Sequence, residues 1–157
     1  MPFQWTKENK IEIADILTRY PTKQAAMLPV LNLAQKEFGW IAPEVMEMVA
    51  KELDVSVAHV YGVVTFYTMY NRQPVGKYHL QVCRTLSCAM MGAEKLTEHL
   101  KCKLNIGLGE TTPDKRFTMT EVECLASCGT APAMVVNEEY YEEMTPELLD
   151  EILEKLP

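Results

Sequence analysis

The sequence predicts an α+β protein in which a helical N-terminal half precedes a small α/β domain. Its 157 residues suffice for one ordinary domain or two small ones, and hydrophobic residues make up 48% of them, so a packed core is expected. Apolar residues recur at helical spacing up to about residue 70, and beyond it the pattern changes to short alternating runs. We place the boundary at Asn71 to Gly76, which gives a helical domain over residues 1–73 and an α/β domain over residues 74–157.

Two helices are predicted before residue 40. The first covers Lys7 to Tyr20, and its apolar residues recur at helical spacing at Ile11, Ile13, Ala14, Leu17 and Tyr20. The second runs from a cap at Thr22 to about Phe38, and Gly39 ends it. Pro29 lies inside this second pattern. Because proline lacks an N–H and crowds the preceding turn, we expect it to kink or split the helix.

Two further helices are predicted from Pro43, a residue suited to a first turn, and from Ser56, a helix cap. The third helix has an apolar stripe at Val45, Met46, Val49, Ala50 and Leu53. The fourth has its apolar positions at Val57, Val60, Tyr61 and Val64. The stretch VYGVVTFYTMY (Val60 to Tyr70) is unusually aromatic for a surface helix, so it either builds the core or docks a partner.

The second half reads β-α-β-β-β-α. The predicted strands are Tyr78 to Cys83, Arg116 to Cys124, the run AMVVN and the run EYYEEM, with a turn at Asn137 and Glu138 between the last two. A helix is predicted from about Ala89 to Lys103, and Thr145 with Pro146 marks the start of the last one. Its expected buried face is Leu148, Leu149, Ile152, Leu153 and Leu156.

Four of the five cysteines form a pattern of C-x4-C, then 35 residues, then C-x3-C. The first pair is Cys83 and Cys88, and the second is Cys124 and Cys128. Each pair lies where a predicted strand ends, so four thiolates can converge at one end of a sheet. Thiolates are the ligands of zinc and of iron–sulfur clusters.

The spacing alone does not distinguish zinc from a [2Fe-2S] cluster. Structural zinc often supports a fold that lacks its own core, and the apolar residues available here favour the cluster. An odd number of cysteines argues against a disulfide framework, and neither pair has the C-x-x-C spacing of a thiol–disulfide oxidoreductase. The fifth cysteine, Cys102, lies opposite the apolar stripe of its helix and is expected to be an exposed thiol.

Charge and motifs exclude several function classes. A net charge of −7 argues against a nucleic-acid-binding surface, which needs clustered Lys and Arg. No apolar run approaches the roughly 20 residues that span a bilayer, and MPFQWTKENK lacks a secretory segment, so we expect a cytoplasmic protein without direct membrane insertion. No strand is followed by G-x-G-x-x-G, so the chain is not expected to bind NADH or flavin by itself.

The four cysteines, with GAEKL after the first pair and CLASCGTAPAMVVN around the second, resemble those of the thioredoxin-like [2Fe-2S] ferredoxins. From about Tyr20 onward the chain also resembles the family of 24-kDa-type subunits (the E subunits) of NADH:quinone oxidoreductase, or complex I. The stretches that carry this second resemblance are AAMLPVLNLAQKEFGWI, VYGVVTFYTMY and PVGKYHLQVC. The resemblance implies an N-terminal helical bundle followed by a thioredoxin-like domain.

By this resemblance the chain holds one [2Fe-2S] cluster, with one iron bound by Cys83 and Cys88 and the other by Cys124 and Cys128. It implies an electron-transfer subunit that exchanges one electron with the FMN of a partner flavoprotein, which also binds NADH. The isolated chain is then an electron carrier, on the soluble arm of a membrane-associated complex or in a soluble complex. NAD-linked hydrogenases and formate dehydrogenases reuse this subunit, and a zinc-binding interaction module is the alternative of another class.

A buried cluster of about −2 or −3 charge needs hydrogen-bond donors around it. We expect them from the amides of residues 84–87 and 125–127 and from the side chains of Arg84, Thr85, Ser87, Ser127 and Thr130. Arg84 is the one cation in either loop, and its removal is expected to lower the reduction potential unless it is only a solvated surface charge. Ala126 stands where many relatives have glycine, and a positive φ there would be costly for alanine.

Overall fold

The computed structural model describes residues 3–156, and the chain divides into two compact units, Met1–Pro74 and Val75–Pro157. Residues 1, 2 and 157, which the predicted domain ranges include, lie outside the described part. No helix in this part is long and apolar enough to cross a membrane.

Residues 3–74 of the first unit form four α-helices, α1 (Lys7–Thr18), α2 (Met27–Phe38), α3 (Pro43–Leu53) and α4 (Val57–Phe66). Side-chain caps begin two of them. The Thr6 hydroxyl accepts a hydrogen bond from the Asn9 N–H, the Asn9 side chain accepts one from the Thr6 N–H, and Ser56 caps α4. These caps satisfy backbone donors that have no partner within the helix.

Pro29 splits the predicted second helix rather than kinking it. Thr22 caps a 3-10 turn, Lys23–Ala26, and α2 begins anew at Met27. Pro29 therefore lies in the first turn of α2, where its missing N–H would have had no partner within the helix. Gly39 ends α2 with a φ of +80°, as its position predicts.

The core of the first unit confirms the predicted apolar face of α3, where all five stripe residues are buried, and half of that of α4, where Val60 and Val64 are buried but Val57 and Tyr61 are exposed. The apolar face predicted for α1 is mostly wrong. Ile13 is buried and Leu17 half-buried, but Ile11 is 72% exposed, Ala14 and Tyr20 are exposed, and Ile16 is buried instead. The aromatic stretch does not lie wholly in the core, because Phe66 is 77% exposed.

The described part of the second unit, residues 75–156, contains four strands and three α-helices. They are β1 (Tyr78–Cys83), α5 (Leu86–Met90), α6 (Ala93–Leu104), β2 (Phe117–Val122), β3 (Met134–Val136), β4 (Glu139–Tyr141) and α7 (Pro146–Lys155). The strands form one mixed sheet in the order β2-β1-β3-β4. β1 runs parallel to β2, with Cys83 opposite Val122, whereas β3 is antiparallel to both β1 and β4.

The helix predicted over Ala89 to Lys103 is two helices in the structure. Gly92 has a φ of +101°, a conformation that a continuing helix does not allow, and it separates α5 from α6. Cys88 therefore lies on a short helix of its own, which the sequence pattern assigned to a loop.

The core of the second unit lies between the sheet and helices α6 and α7. Its fully buried residues include Leu80, Met119 and Met134 of the strands, Leu100 of α6 and Leu149 of α7. The predicted buried face of α7 is confirmed at its centre, while Leu148 and Leu156 at its ends are half-buried. The cysteine loops emerge from one end of this sheet.

Candidate metal centre

Two neighbouring strands deliver the two cysteine pairs to the same end of the sheet. Cys83 is the last residue of β1, and Cys124 follows the end of β2 by two residues. Because β1 and β2 are parallel, the segments that follow the two strands leave the sheet at the same end. Cys88 follows on α5, and Cys128 opens the 3-10 turn Cys128–Thr130.

The two pairs differ in burial. Cys83 and Cys88 are 1% and 3% exposed and belong to the apolar core, whereas Cys124 and Cys128 are exposed. The members of each pair interact: the Cys124 and Cys128 sulfurs are 3.9 Å apart, and the Cys83 and Cys88 thiols each affect the pKa of the other. The site therefore has one buried edge and one edge open to solvent.

The Thr85 hydroxyl connects the two pairs. Its Oγ1 lies 3.3 Å from the Cys83 sulfur, and its side chain also interacts with Cys124, whose pKa it lowers. One side chain on the first loop thus acts on a thiol from each pair. The strand register thus places both pairs at the same end of the sheet, and Thr85 lies beside them.

Backbone N–H groups act on three of the four thiols. That of Ala126 donates to the Cys124 sulfur at 3.3 Å, and those of Thr85 and Leu125 lower the pKa of Cys83. These donors fall within the two predicted loop segments. The sequence missed a further donor, the Ala133 N–H to Cys88, because it comes from the chain leading into β3 and only the sheet pairing brings it near.

Burial and hydrogen bonding determine the acidity of the thiols. Burial raises the pKa of Cys83, but hydrogen bonds from Thr85, Leu125 and Cys88 outweigh it and leave the pKa below its ordinary value. The Ala126 N–H, followed by the Thr85 and Cys128 side chains, lowers the pKa of Cys124. Burial raises the pKa of Cys88, with a smaller contribution from neighbouring Cys83. Two of the thiols are thus poised toward the thiolate, the form that binds metals.

The other side chains expected near the sulfurs occupy varied positions. Arg84 is exposed and hydrogen-bonds to Glu123, and Ser87 is half-buried on α5. The Thr130 hydroxyl donates to Glu142 at 2.6 Å, and hydrogen bonds from Thr130 and Ser127 lower the Glu142 pKa. The contacts of Ser127 and Thr130 therefore stabilise the turn that carries Cys128.

The four thiols form two pairs, the arrangement that could hold a centre with two irons. Within residues 3–156 no group of three or more His, Cys, Asp and Glu side chains is arranged to hold a metal ion. The thiols are instead grouped in two pairs linked through Thr85, and two thiolates per iron are what a four-cysteine [2Fe-2S] cluster requires. The fifth cysteine, Cys102, is exposed on α6, as its helical position predicts.

Comparison with known protein families agrees with this donor set. The chain matches the family of thioredoxin-like [2Fe-2S] ferredoxins over residues 13–157. It belongs to this family. The match covers the sheet, both cysteine pairs and most of the N-terminal helices, and it gives the second unit a thioredoxin-like fold with a mixed four-stranded sheet.

As a thioredoxin-like [2Fe-2S] ferredoxin, the chain has one relative of similar length and one that is longer among those compared. It is 41% identical to the E subunit of NADH-quinone oxidoreductase from Rickettsia bellii, over 98% of this chain and 94% of that protein. It is 40% identical to the mitochondrial NADH dehydrogenase [ubiquinone] flavoprotein 2 of Dictyostelium discoideum, over 99% of this chain and 66% of that protein.

Among solved structures, an NAD+-reducing [NiFe]-hydrogenase in its air-oxidised state superimposes with a TM-score of 0.73. The superposition covers 83% of this chain but only 22% of the hydrogenase chain, at 18% sequence identity. At this low identity, the likeness shows that the two chains share a fold and nothing more.

Proposed function

We propose that this chain is the [2Fe-2S] electron-transfer subunit of an NADH:quinone oxidoreductase and exchanges one electron with the FMN of a partner flavoprotein. The observation that carries the proposal is that two cysteine pairs lie at the same end of the sheet in a chain of the [2Fe-2S] ferredoxin family. A [2Fe-2S] cluster, when bound, accepts and releases one electron at a time.

Each side chain of the site has a role in this proposal. Cys83 and Cys88 hold one iron from the buried side, and Cys124 and Cys128 hold the other from the exposed side. The backbone N–H groups that already contact the sulfurs stabilise their negative charge, since a charge-assisted hydrogen bond favours the anionic form. Thr85 keeps the two pairs in register through its contacts with both.

The choice of host complex follows from the relatives. Proteins named as E subunits of NADH-quinone oxidoreductase align with nearly the whole chain at about 40% identity. The hydrogenase shares 18% identity, so it supports a common fold without a common host. We therefore propose the quinone-linked complex as host over an NAD-linked hydrogenase or formate dehydrogenase, with the chain on its soluble arm.

FMN and NADH are assigned to the partner flavoprotein. The sequence has no dinucleotide-binding motif after a strand, and the cluster holds one electron whereas hydride transfer from NADH moves two. The chain's task is then confined to one-electron exchange. It performs no hydride chemistry of its own.

The experiment is anaerobic purification followed by analysis of iron, acid-labile sulfide and zinc beside a visible spectrum. We expect about two irons and two sulfides per chain and a red-brown colour that dithionite bleaches. Replacing any one of the four paired cysteines with serine is expected to lower the iron content. These cysteines are Cys83, Cys88, Cys124 and Cys128. The matched control, Cys102→Ser, is expected to leave the iron content unchanged.

About one zinc per chain and no colour would contradict electron transfer and support the zinc-binding module instead. If the cluster is present, mixing the reduced chain with a candidate FMN-binding flavoprotein tests the partner. Reoxidation of the chain coupled to flavin reduction supports the assignment, and its absence with every NADH-linked flavoprotein of the organism contradicts it.

A further inference from the structure

The chain carries an ion pair that joins the two cysteine loops. Arg84 directly follows Cys83, and Glu123 directly precedes Cys124. The Arg84 N–H donates to the Val122 carbonyl at 3.0 Å, which extends the parallel pairing of β1 and β2 by one residue. Both side chains therefore start from adjacent points at the sheet edge where the cysteines emerge.

Two nitrogens of the Arg84 guanidinium donate hydrogen bonds to the Glu123 carboxylate. Nε lies 3.0 Å and Nη2 lies 2.5 Å from the same oxygen, Oε1. The side chains are 57% and 66% exposed, and an exposed ion pair adds little to global stability. Its consequence is therefore local, in the geometry and the electrostatics of the loops it joins.

The pair also cancels the one positive charge within either loop. A lone cation beside a cluster stabilises its reduced, more negative state and so raises the reduction potential, while a lone carboxylate does the reverse. With Glu123 bonded to Arg84, the two effects oppose each other. The expectation from sequence that Arg84 acts on the potential by itself thus omits its partner.

We propose that Arg84 and Glu123 are a positioning pair for the cluster: they link the two cysteine loops and balance each other's charge beside it. This inference rests on the proposed function, because it presupposes a cluster on these cysteines. It assigns a role to Glu123, which no cysteine spacing or motif identifies. Neither residue is a ligand, and both act through the loops that carry the ligands.

The test is a set of variants of the full chain with its cluster, each titrated electrochemically and followed by the spectrum of the reduced cluster. We expect Glu123→Gln to raise the midpoint potential, because Arg84 is then unopposed, and Arg84→Gln to lower it. The double variant R84Q/E123Q and the charge swap R84E/E123R should return near the wild-type potential. Lys155→Gln, which removes one member of the exposed Lys155–Glu151 pair on α7, is the matched control and should leave the potential unchanged.

Cluster loss under air provides the second readout. We expect both single variants to lose iron several-fold faster than wild type, and the charge swap to restore the wild-type rate because it restores the link between the loops. Failure of the swap to restore that rate would overturn the linking role, and equal potentials for all variants would overturn the charge balance. Iron and sulfide analysis of the wild-type chain separates these outcomes from failure of the proposed function, in which case no cluster is present to titrate.

Discussion

At the scale of single residues, the loop between Cys124 and Cys128 contains a backbone conformation that residues other than glycine seldom adopt. Ala126 has a φ of +62°, in the left-handed region that favours glycine, and its N–H donates to the Cys124 sulfur. The positive angle is what turns this N–H toward the sulfur in a loop of only three residues between the cysteines. The sequence raised this possibility at Ala126, and the structure confirms it.

We expect Ala126→Gly to stabilise the second unit by about 0.5–1 kcal/mol, because glycine removes the cost of a left-handed alanine, partly offset by its freer unfolded chain. Urea unfolding of the chain measures the change. Ala89→Gly on α5, where the backbone is helical, is the control and should destabilise by a similar amount. Equal losses at both positions would contradict the assignment of strain to Ala126.

Gly76 shows a second constraint, in which the space around the residue matters rather than its φ. A Cβ built there would lie 2.9 Å from backbone atoms of Arg116 and Phe117, since the Gly76 N–H donates to Thr118 at the start of the sheet. We expect Gly76→Ala to destabilise the second unit by about 1–3 kcal/mol, because rigid backbone must move. Gly129→Ala has open space, and urea unfolding should show little change for it.

At the scale of elements, a carboxylate on α7 ties the last two helices together. Asp150 lies 2.8 Å from both the Lys103 Nζ and the His99 Nε2 of α6. Lys103, followed by His99, lowers the pKa of Asp150, so the folded protein favours the ionised carboxylate more than the unfolded chain does. This stability is present above the unfolded pKa of about 4 and is lost as the pH falls through the lower folded pKa.

We therefore expect Asp150→Asn to lower the free energy of unfolding at pH 7. Because wild type loses the same contribution in acid, the difference between the two proteins should shrink below about pH 4. Urea unfolding across pH 3–7 measures this. Glu151→Gln, which affects only a 3.6 Å pair within α7, is the control, and a pH-independent difference for Asp150→Asn would refute the linkage.

Most elements were predictable because their signals are local. Caps at Thr22, Ser56 and Thr145 and the stop at Gly39 all lie where the sequence placed them. The elements that were predicted wrongly have local signals that the pattern leaves ambiguous or that tertiary structure overrides. Gly92 sits between two apolar runs that read as one helix, and only its positive φ reveals the break.

At the scale of the whole molecule, the chain combines a net charge of −7 with large apolar side chains on its surface. The most exposed in the first unit include Phe66 at 77% and Tyr61 at 55%, both from α4. Exposed aromatic side chains of this size are typical of interaction sites. The prediction that this stretch builds the core is confirmed at Val60 and Val64, and docking of a partner by its exposed aromatic side chains stays a prediction.

We expect the isolated chain to self-associate as its concentration rises, because no partner covers Phe66 and Tyr61 in the isolated chain. Phe66→Glu should shift the chain toward monomer in sedimentation or size-exclusion experiments, since it places a charge in the contact. Ile11→Glu, which alters an equally exposed apolar side chain on α1, is the control and should not. A wild-type chain that stays monomeric at all concentrations would contradict this expectation.

The sequence by itself determined the class of the fold, the order of its elements and the candidate ligands, because caps, periodicity and cysteine spacing are properties of neighbouring residues. Only the tertiary structure decided how the pairs meet. The parallel register of β1 and β2 brings together residues some forty positions apart, and with them the Thr85 contact to both pairs and the Arg84–Glu123 link. Contacts between residues so far apart in the sequence depend on strand pairing, which no local pattern contains.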